Sequence, residues 1–138
     1  MKIVLDTNVL VAALIAHGVC ADLVEHCILS HKVEVSIAIL GELHEQLMVK
    51  FKYTSLEADE AIILFRSQMG LVSPAILSQQ VCRDADDDLI LGTALAADAG
   101  CLVTGDKDLL VLRRFQGIDI LRPGDFADYE AKSNRRES

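Results

Sequence analysis

Apolar residues return along this chain in two rhythms. Short continuous runs at Lys2-Ile-Val-Leu-Asp6, Val33 to Ser36, Cys101-Leu-Val103 and Gly117 to Leu121 read as strands buried on both faces, the habit of a parallel sheet. A fainter run at Leu71-Val72, before Pro74, adds a short strand. Between the runs lie stretches with helical spacing. Thr7 or Asn8 caps a helix to Leu14 or Ile15, and a second helix runs from about Ala21 to His31. Ser36 opens a third, with Leu40, Leu43, Leu47 and Phe51 as its apolar stripe. Ser55, with Glu57 and Asp59, begins a fourth that Gly70 ends. Asp86 or Asp87 opens the most apolar helix, through Ala97, and a short helix to Leu112 follows the Cys101 strand. Pro123 starts a terminal helical turn.

This alternation predicts one α/β domain over residues 1–128: three layers, α/β/α, around a central, mainly parallel sheet of four to five strands. Residues 129–138 are polar and predict a flexible tail. No internal repeat, low-complexity segment or linker interrupts the domain.

Composition fits a closed core. The hydrophobic fraction is 51%, aromatics are only 4% and Trp is absent, so Leu, Ile, Val and Ala must fill the interior. That excludes a disordered chain, and it argues against an all-β sandwich and against a binder that stacks bases on aromatic platforms. The net charge of −8 is the wrong sign for holding nucleic acid by electrostatics alone. Either nucleic acid is not the substrate, or cations cover some of the carboxylates. Asp residues crowd the stretch from Asp84 to Asp108, which calls for an explanation.

Cys20, Cys27, Cys82 and Cys101 have no C-x-x-C pair among them. Buried free thiols in a reducing cytosol are the expectation. Met1 leads directly into a strand without signal-peptide architecture, and no apolar run approaches the length of a membrane span, so a cytoplasmic protein with no membrane contact is expected. His17, His26, His31 and His44 lack a metal-ligand spacing that converges with the acids, and Gly105 is one glycine rather than a phosphate loop.

The acids are placed suggestively. In open α/β sheets ligands bind beyond the carboxyl ends of the strands. Asp6 ends the first strand, Asp106 follows Val103 by three residues, Glu42 lies in the first two turns after Ser36, and Asp87 starts its own helix. Carboxylates converging from four segments repel one another unless a cation fills the site, and magnesium or manganese favours oxygen ligands. Each acid also has a plainer role as a helix cap, a turn residue or part of a solvated run with Asp84, Asp86 and Asp88. Glu42 lies opposite the Leu40–Leu47 stripe, which by periodicity alone puts it on the surface. Lys50, Lys52, Arg113, Arg114 and Arg122 are candidates to flank a pocket and hold phosphates, or are ordinary solvated cations.

Motifs add to this. Val4-Leu5-Asp6-Thr7-Asn8-Val9-Leu10 resembles the opening motif of PIN domains, the fold of VapC-type toxins and several RNA-processing nucleases. Asp87-Asp88-Leu89-Ile90-Leu91-Gly92-Thr93-Ala94 is similar to that family's acid-led helix, commonly Asp-x-x-Ile-Ala-Ala-Thr-Ala. Leu102 to Leu109 resembles its third motif, and Ile39-Leu40-Gly41-Glu42-Leu43 its helical Glu; the likeness extends from Lys2 to about Phe126 in the right order. Cys82-Arg83-Asp84-x-x-Asp87-Asp88 and Thr104 to Leu110 resemble the subgroup of toxins from toxin–antitoxin pairs.

The resemblance implies a magnesium- or manganese-dependent ribonuclease with Asp6, Glu42, Asp87 and Asp106 on the metal. Asn8 and Thr104 would be supports, and Asp108 an outer carboxylate. Register against Thr93-Ala94 selects Asp87 over Asp84 and Asp88. An antitoxin partner and a homodimer follow from the same likeness. The competing readings are a PIN-like domain that binds RNA or protein without cutting, and a receiver- or phosphatase-like acidic domain, which the motif order does not fit.

Overall fold

The computed structural model describes residues 1–16 and 18–137, so the reading of His17 lies outside the described residues. The first strand, β1 (Lys2–Leu5), leads into helices α1 (Thr7–Ile15) and α2 (Val19–Ser30). Strand β2 (Lys32–Ser36) then precedes α3 (Ile37–Phe51) and α4 (Ser55–Gln68). After β3 (Gly70–Val72) a loop reaches α5 (Ala85–Ala96), followed by β4 (Cys101–Val103) and the short α6 (Lys107–Leu110). The chain closes with β5 (Arg114–Phe115), β6 (Ile118–Leu121), a 3₁₀ turn and α7 (Phe126–Glu137).

The strands form one sheet of six in the order β3-β2-β1-β4-β6-β5. Every neighbouring pair is parallel except β5 with β6. The central strands have no exposed side: Ile3, Val4 and Leu5 of β1 and all of β4 are buried, so helices must cover both faces. Helix α1 packs on α2 and α3, α3 packs on α4, and α5 touches β1 and β2. Among the described residues no single helix is long and apolar enough to cross a membrane. All four cysteines are free, as expected; Cys27, Cys82 and Cys101 are buried, whereas Cys20 is only half-buried.

Three features depart from the sequence reading. The sheet has a sixth strand because Gln116 and Gly117, at φ 47° and 84°, fold a two-residue turn between β5 and β6. Paired positive φ values match the twist of a tight hairpin, and Gln-Gly is a weak version of the usual Asn-Gly signal. Phe51 is exposed rather than part of the core stripe, because α3 ends there and Lys52 turns into the left-handed region at φ 57°. Lastly, the terminal turn expected at Pro123 continues as α7 into the stretch expected as a tail. Its anchors are Phe126, Tyr129 and Glu130, one helical face of an otherwise polar segment. Phe126 is buried, the Tyr129 hydroxyl lies 2.8 Å from Asp119 Oδ2, and Glu130 accepts from His26 and His31 at 2.7 and 2.5 Å. Hydrogen bonds from His31 and His26 hold the Glu130 carboxyl below its ordinary range, against the opposing pull of its burial. The other described histidine, His44, bridges α3 to α4 through Asp59 at 2.8 Å.

One glycine positions the loop that feeds α5. A Cβ at Gly92 would stand 2.3 Å from the Ala75 carbonyl oxygen, and the Ala75 amide donates to Gly92 O at 2.9 Å. The loop backbone therefore lies directly on the helix. Gly92→Ala should destabilise the protein by about 1–3 kcal/mol in urea unfolding, although Ala is the better helix former. Unchanged or increased stability would show that this approach is not tight.

Candidate metal centre

Strands β1 and β4 lie side by side, but the chain leaves β1 toward β2 and β3 and leaves β4 toward β6. Their carboxyl ends therefore flank the point where the strand order reverses, the usual place for a ligand in such sheets. Asp6 follows β1 and Thr104-Gly105-Asp106 follows β4. The Asp6 amide donates to Val103 O at 2.9 Å and continues the pairing of these strands one residue beyond their ends.

Asp6 is 4% exposed and fully engaged. Its Oδ1 accepts from the Thr7 amide at 2.7 Å, capping α1, and its Oδ2 accepts from the Thr104 hydroxyl at 2.7 Å and Asn8 Nδ2 at 3.0 Å. The cap role and the site role thus belong to one residue. Asn8 Oδ1 in turn accepts from the Gly105 amide at 3.0 Å, and Thr104 Oγ1 accepts from the Asp106 amide at 3.0 Å. Asn8 and Thr104 tie the two strand ends into one unit. Asp106 caps α6 by accepting from the Asp108 amide at 2.9 Å.

Glu42 reaches the same place from α3. It faces away from the buried stripe of Ile39, Leu40, Leu43 and Leu47, as periodicity implied, but that face looks onto the strand ends rather than into open solvent. Gln46 Nε2 holds Glu42 Oε1 at 2.9 Å. Asp87, in the first turn of α5, completes the group. A pocket of about 380 Å³ is lined by Asp6, Asn8, Glu42, Gln46, Lys50, Asp87 and Asp106, with Gly105 at its edge. All four acids singled out from the sequence come together here. Asp108 does not line the pocket, but one of its oxygens lies within 4.8 Å of oxygens from Asp87 and Asp106.

Packing these acids together has an electrostatic consequence. Burial raises the Asp6 carboxyl above its ordinary value, against its hydrogen bonds from Thr104 and Thr7, and Asp106 adds to the rise. Burial also raises Glu42, with Asp6, Asp86 and Asp84 contributing. Asp87 is pushed up to about 7, first by burial, then by the charge of Asp106 and a hydrogen bond shared with it, which requires a proton.

The Asp84–Asp88 run divides by role. Asp84 caps α5 through the Asp86 amide at 2.9 Å. Asp88 accepts from the amides of Cys82 at 2.8 Å and Val81 at 3.2 Å, which fixes the loop before the helix. Asp86 is exposed and lies beside Ile37, Gly41 and Glu45 in a neighbouring pocket. Of the run, Asp87 alone lines the pocket with Asp6 and Asp106.

Three participants escaped the sequence reading. Gln46 could have been found with Lys50, since Glu42, Gln46 and Lys50 form a polar row at intervals of four on α3. The buried Thr7 hydroxyl sits beside Glu42, and its hydrogen bond opposes the rise of the Glu42 pKa. Arg83 gave no signal beyond its place in a motif; its Nη2 lies 2.8 and 3.0 Å from the two carboxylate oxygens of Asp108. Of the proposed flanking cations, Lys50 lines the pocket, whereas Arg114 faces Asp119 at 3.5 Å.

The donor set suits a hard divalent cation. The oxygens it offers are those of carboxylates and amides, with no His or Cys among the described lining residues. Carboxyl pKa values raised by burial and by neighbouring acids are the marks of a site short of positive charge. His26 and His31 converge on Glu130 instead, away from this pocket.

Comparison with known proteins agrees with this fold. The family model described as PIN domain matches residues 2–108. The uncharacterized protein MJ1680 of Methanocaldococcus jannaschii is 30% identical over 118 residues, covering 82% of this chain and 76% of that protein. The structure of VapBC2 from Rickettsia felis, bound to a DNA fragment from their promoter, superposes with a TM-score of 0.65 at 19% identity, covering 88% of this chain and 98% of the other. VapBC-1 from nontypeable Haemophilus influenzae gives 0.64 at 16% identity, with 90% and 99% covered. With its parallel sheet, its acidic pocket at the strand-order reversal and this match over most of its length, the chain belongs to the PIN-domain family, a family of nucleases.

Proposed function

We propose that the protein is a magnesium- or manganese-dependent endoribonuclease that hydrolyses RNA phosphodiester bonds, and that it acts as the toxin of a toxin–antitoxin pair. One observation carries the catalytic part: Asp6, Glu42, Asp87 and Asp106 arrive from four segments in one pocket that makes each of the first three harder to ionise. A site built only for stability would not concentrate like charges in this way. The completeness of the set also argues against a domain that binds RNA without cutting it.

The chain's own groups have distinct tasks in this reading. Asp6, Glu42, Asp87 and Asp106 hold the cation. Thr104 and Asn8 donate to Asp6 Oδ2 and so fix which way the carboxylate points. Gln46 does the same for Glu42. Asp87 holds its proton up to about pH 7 and gives it up when a cation takes the place of that proton. Lys50, on the pocket wall, offers a positive charge to the phosphate backbone. A bound divalent cation would supply activation of water and stabilisation of charge on the phosphate.

The partner part rests on likeness in fold to the two VapBC complexes. An apolar groove of about 420 Å³ between α1, α2 and α4, with Leu29 and Leu64 exposed at its margin, suits an antitoxin segment. A homodimer and a cytoplasmic setting belong to the same reading, and four free thiols fit a reducing compartment.

Cleavage of a panel of structured RNAs, with and without magnesium or manganese, tests the activity. Asp6→Asn should lower cleavage by about a hundredfold or more while the protein stays folded. Asp87→Asn should do likewise, whereas Asp86→Asn should change the rate by only a small factor. Equal, mild losses at Asp86 and Asp87 would mean that the acidic helix start serves only as a solvated charge run.

The raised carboxyls also give stability a sign. A carboxyl whose pKa is higher in the folded state binds its proton more tightly there, so its contribution is fully present below the unfolded pKa and is lost as pH rises through the folded one. Asp87, raised from 3.8 to about 7, sets that window. Without divalent cations the melting temperature should fall by a few degrees between about pH 5 and about pH 8. Saturating manganese should remove the fall, and so should Asp87→Asn. A cation-free melting temperature that stayed level or rose over this range would contradict the charge-crowded pocket.

A further inference from the structure

We propose that Arg83 grips a substrate phosphate at the rim of the acidic pocket, and that Asp108 parks it there in the free protein. The inference rests on the nuclease reading above and extends it to the question of how so acidic a site admits an anion.

The geometry comes from two sides. Asp108 offers an oxygen within 4.8 Å of oxygens from Asp87 and Asp106, so it stands against the pocket without lining it. Both of its oxygens lie on Arg83 Nη2, at 2.8 and 3.0 Å. The guanidinium is therefore one carboxylate away from the candidate metal ligands. Because a single nitrogen serves both oxygens, the rest of the planar fork is not spent on Asp108. That fork is the shape that takes phosphate oxygens in pairs.

The base of the side chain is braced while its head, apart from Asp108, faces solvent. Asp88 accepts from the Val81 and Cys82 amides, and Gln80 Nε2 donates to Cys82 O at 2.8 Å and approaches Arg83 O at 3.4 Å. Cys82 is buried, yet the Arg83 side chain is 86% exposed. An exposed ion pair of this kind stabilises the fold little, so exchanging Asp108 for a phosphate costs little. Lys50 supplies positive charge from α3 and Arg83 from the loop before α5, which puts cations on two sides of the pocket. In this arrangement Asp108 tethers Arg83 from a position where its oxygen lies within 4.8 Å of oxygens from Asp87 and Asp106.

The experiment compares full-length wild type, Arg83→Ala, Arg83→Lys and Asp108→Asn on a short fluorescent RNA in manganese, with kcat and KM separated. Arg83→Ala should raise KM about tenfold, leave kcat within about twofold, and reduce the slope of log KM against log salt by about one. Arg83→Lys should recover part of the loss, and Asp108→Asn should lower KM by freeing the guanidinium. Binding of the same RNA in calcium, read by anisotropy, follows Arg83 without turnover and should show the same order of affinities. Unchanged KM and affinity in Arg83→Ala would overturn the proposal. So would a fall in kcat at constant KM in Asp108→Asn, the result expected of a metal-serving carboxylate. Wild type that binds RNA through Arg83 but never cleaves it would support the grip and sink the nuclease reading instead.

Discussion

The structure depends on holding mutually repelling carboxylates in one place. Left to themselves, Asp6, Asp87 and Asp106 would move apart or protonate. They stay because each is tied to backbone that has no freedom to move. Asp6 and Asp106 are both helix caps, fixed by amides of α1 and α6, and Thr104 bonds to both of them. Asn8 joins the first strand end to the second through the Gly105 amide. Beneath this polar layer β1 and β4 are buried on both faces, so the repulsion is resisted by a core that is costly to disrupt.

From that constraint the rest of the site follows. A second polar layer sits where α5 meets β2: the Thr93 hydroxyl donates to Leu89 O at 2.8 Å and shares a hydrogen bond with Ser36, which caps α3. The helix that carries Asp87 and the helix that carries Glu42 are thus joined at a buried hydroxyl pair. The loop packed on Gly92 and pinned by Asp88 completes the frame and places Arg83 beside Asp108. Charge is concentrated in the pocket and rigidity in the framework around it, a division of labour that would let a cation bind without rearrangement.

The layered α/β arrangement and most of the site were legible in the sequence, for reasons that differ by residue. Asp6 and Asp106 could be read because a buried parallel strand is a conspicuous apolar run and its carboxyl end is the expected place for chemistry. Asp87 needed the motif, since local chemistry gives Asp84, Asp86 and Asp88 equal claims; only tertiary structure reveals that Asp84 caps its helix and Asp88 holds a loop. Glu42 reads as surface by periodicity because periodicity reports which face meets the core, not what the other face meets. The Arg83–Asp108 pair spans 25 residues and the Glu130–His26 pair spans 104, and no local pattern encodes such contacts. Strand β5 was missed because two residues paired across a Gln-Gly turn are too few to make a period. Helix α7 was missed because its few anchors sit in a polar stretch.

Three crowded carboxyls of the pocket are harder to ionise than ordinary ones, and a divalent cation is the partner that suits them. Calorimetric titration of the protein with manganese near pH 7, repeated in buffers of different ionisation enthalpy, counts the protons displaced by the metal. The account predicts one binding event per chain that releases about half a proton at this pH, chiefly from Asp87, and loses that release in Asp87→Asn. Manganese that bound with no proton release, or that bound equally well without Asp6, would contradict it.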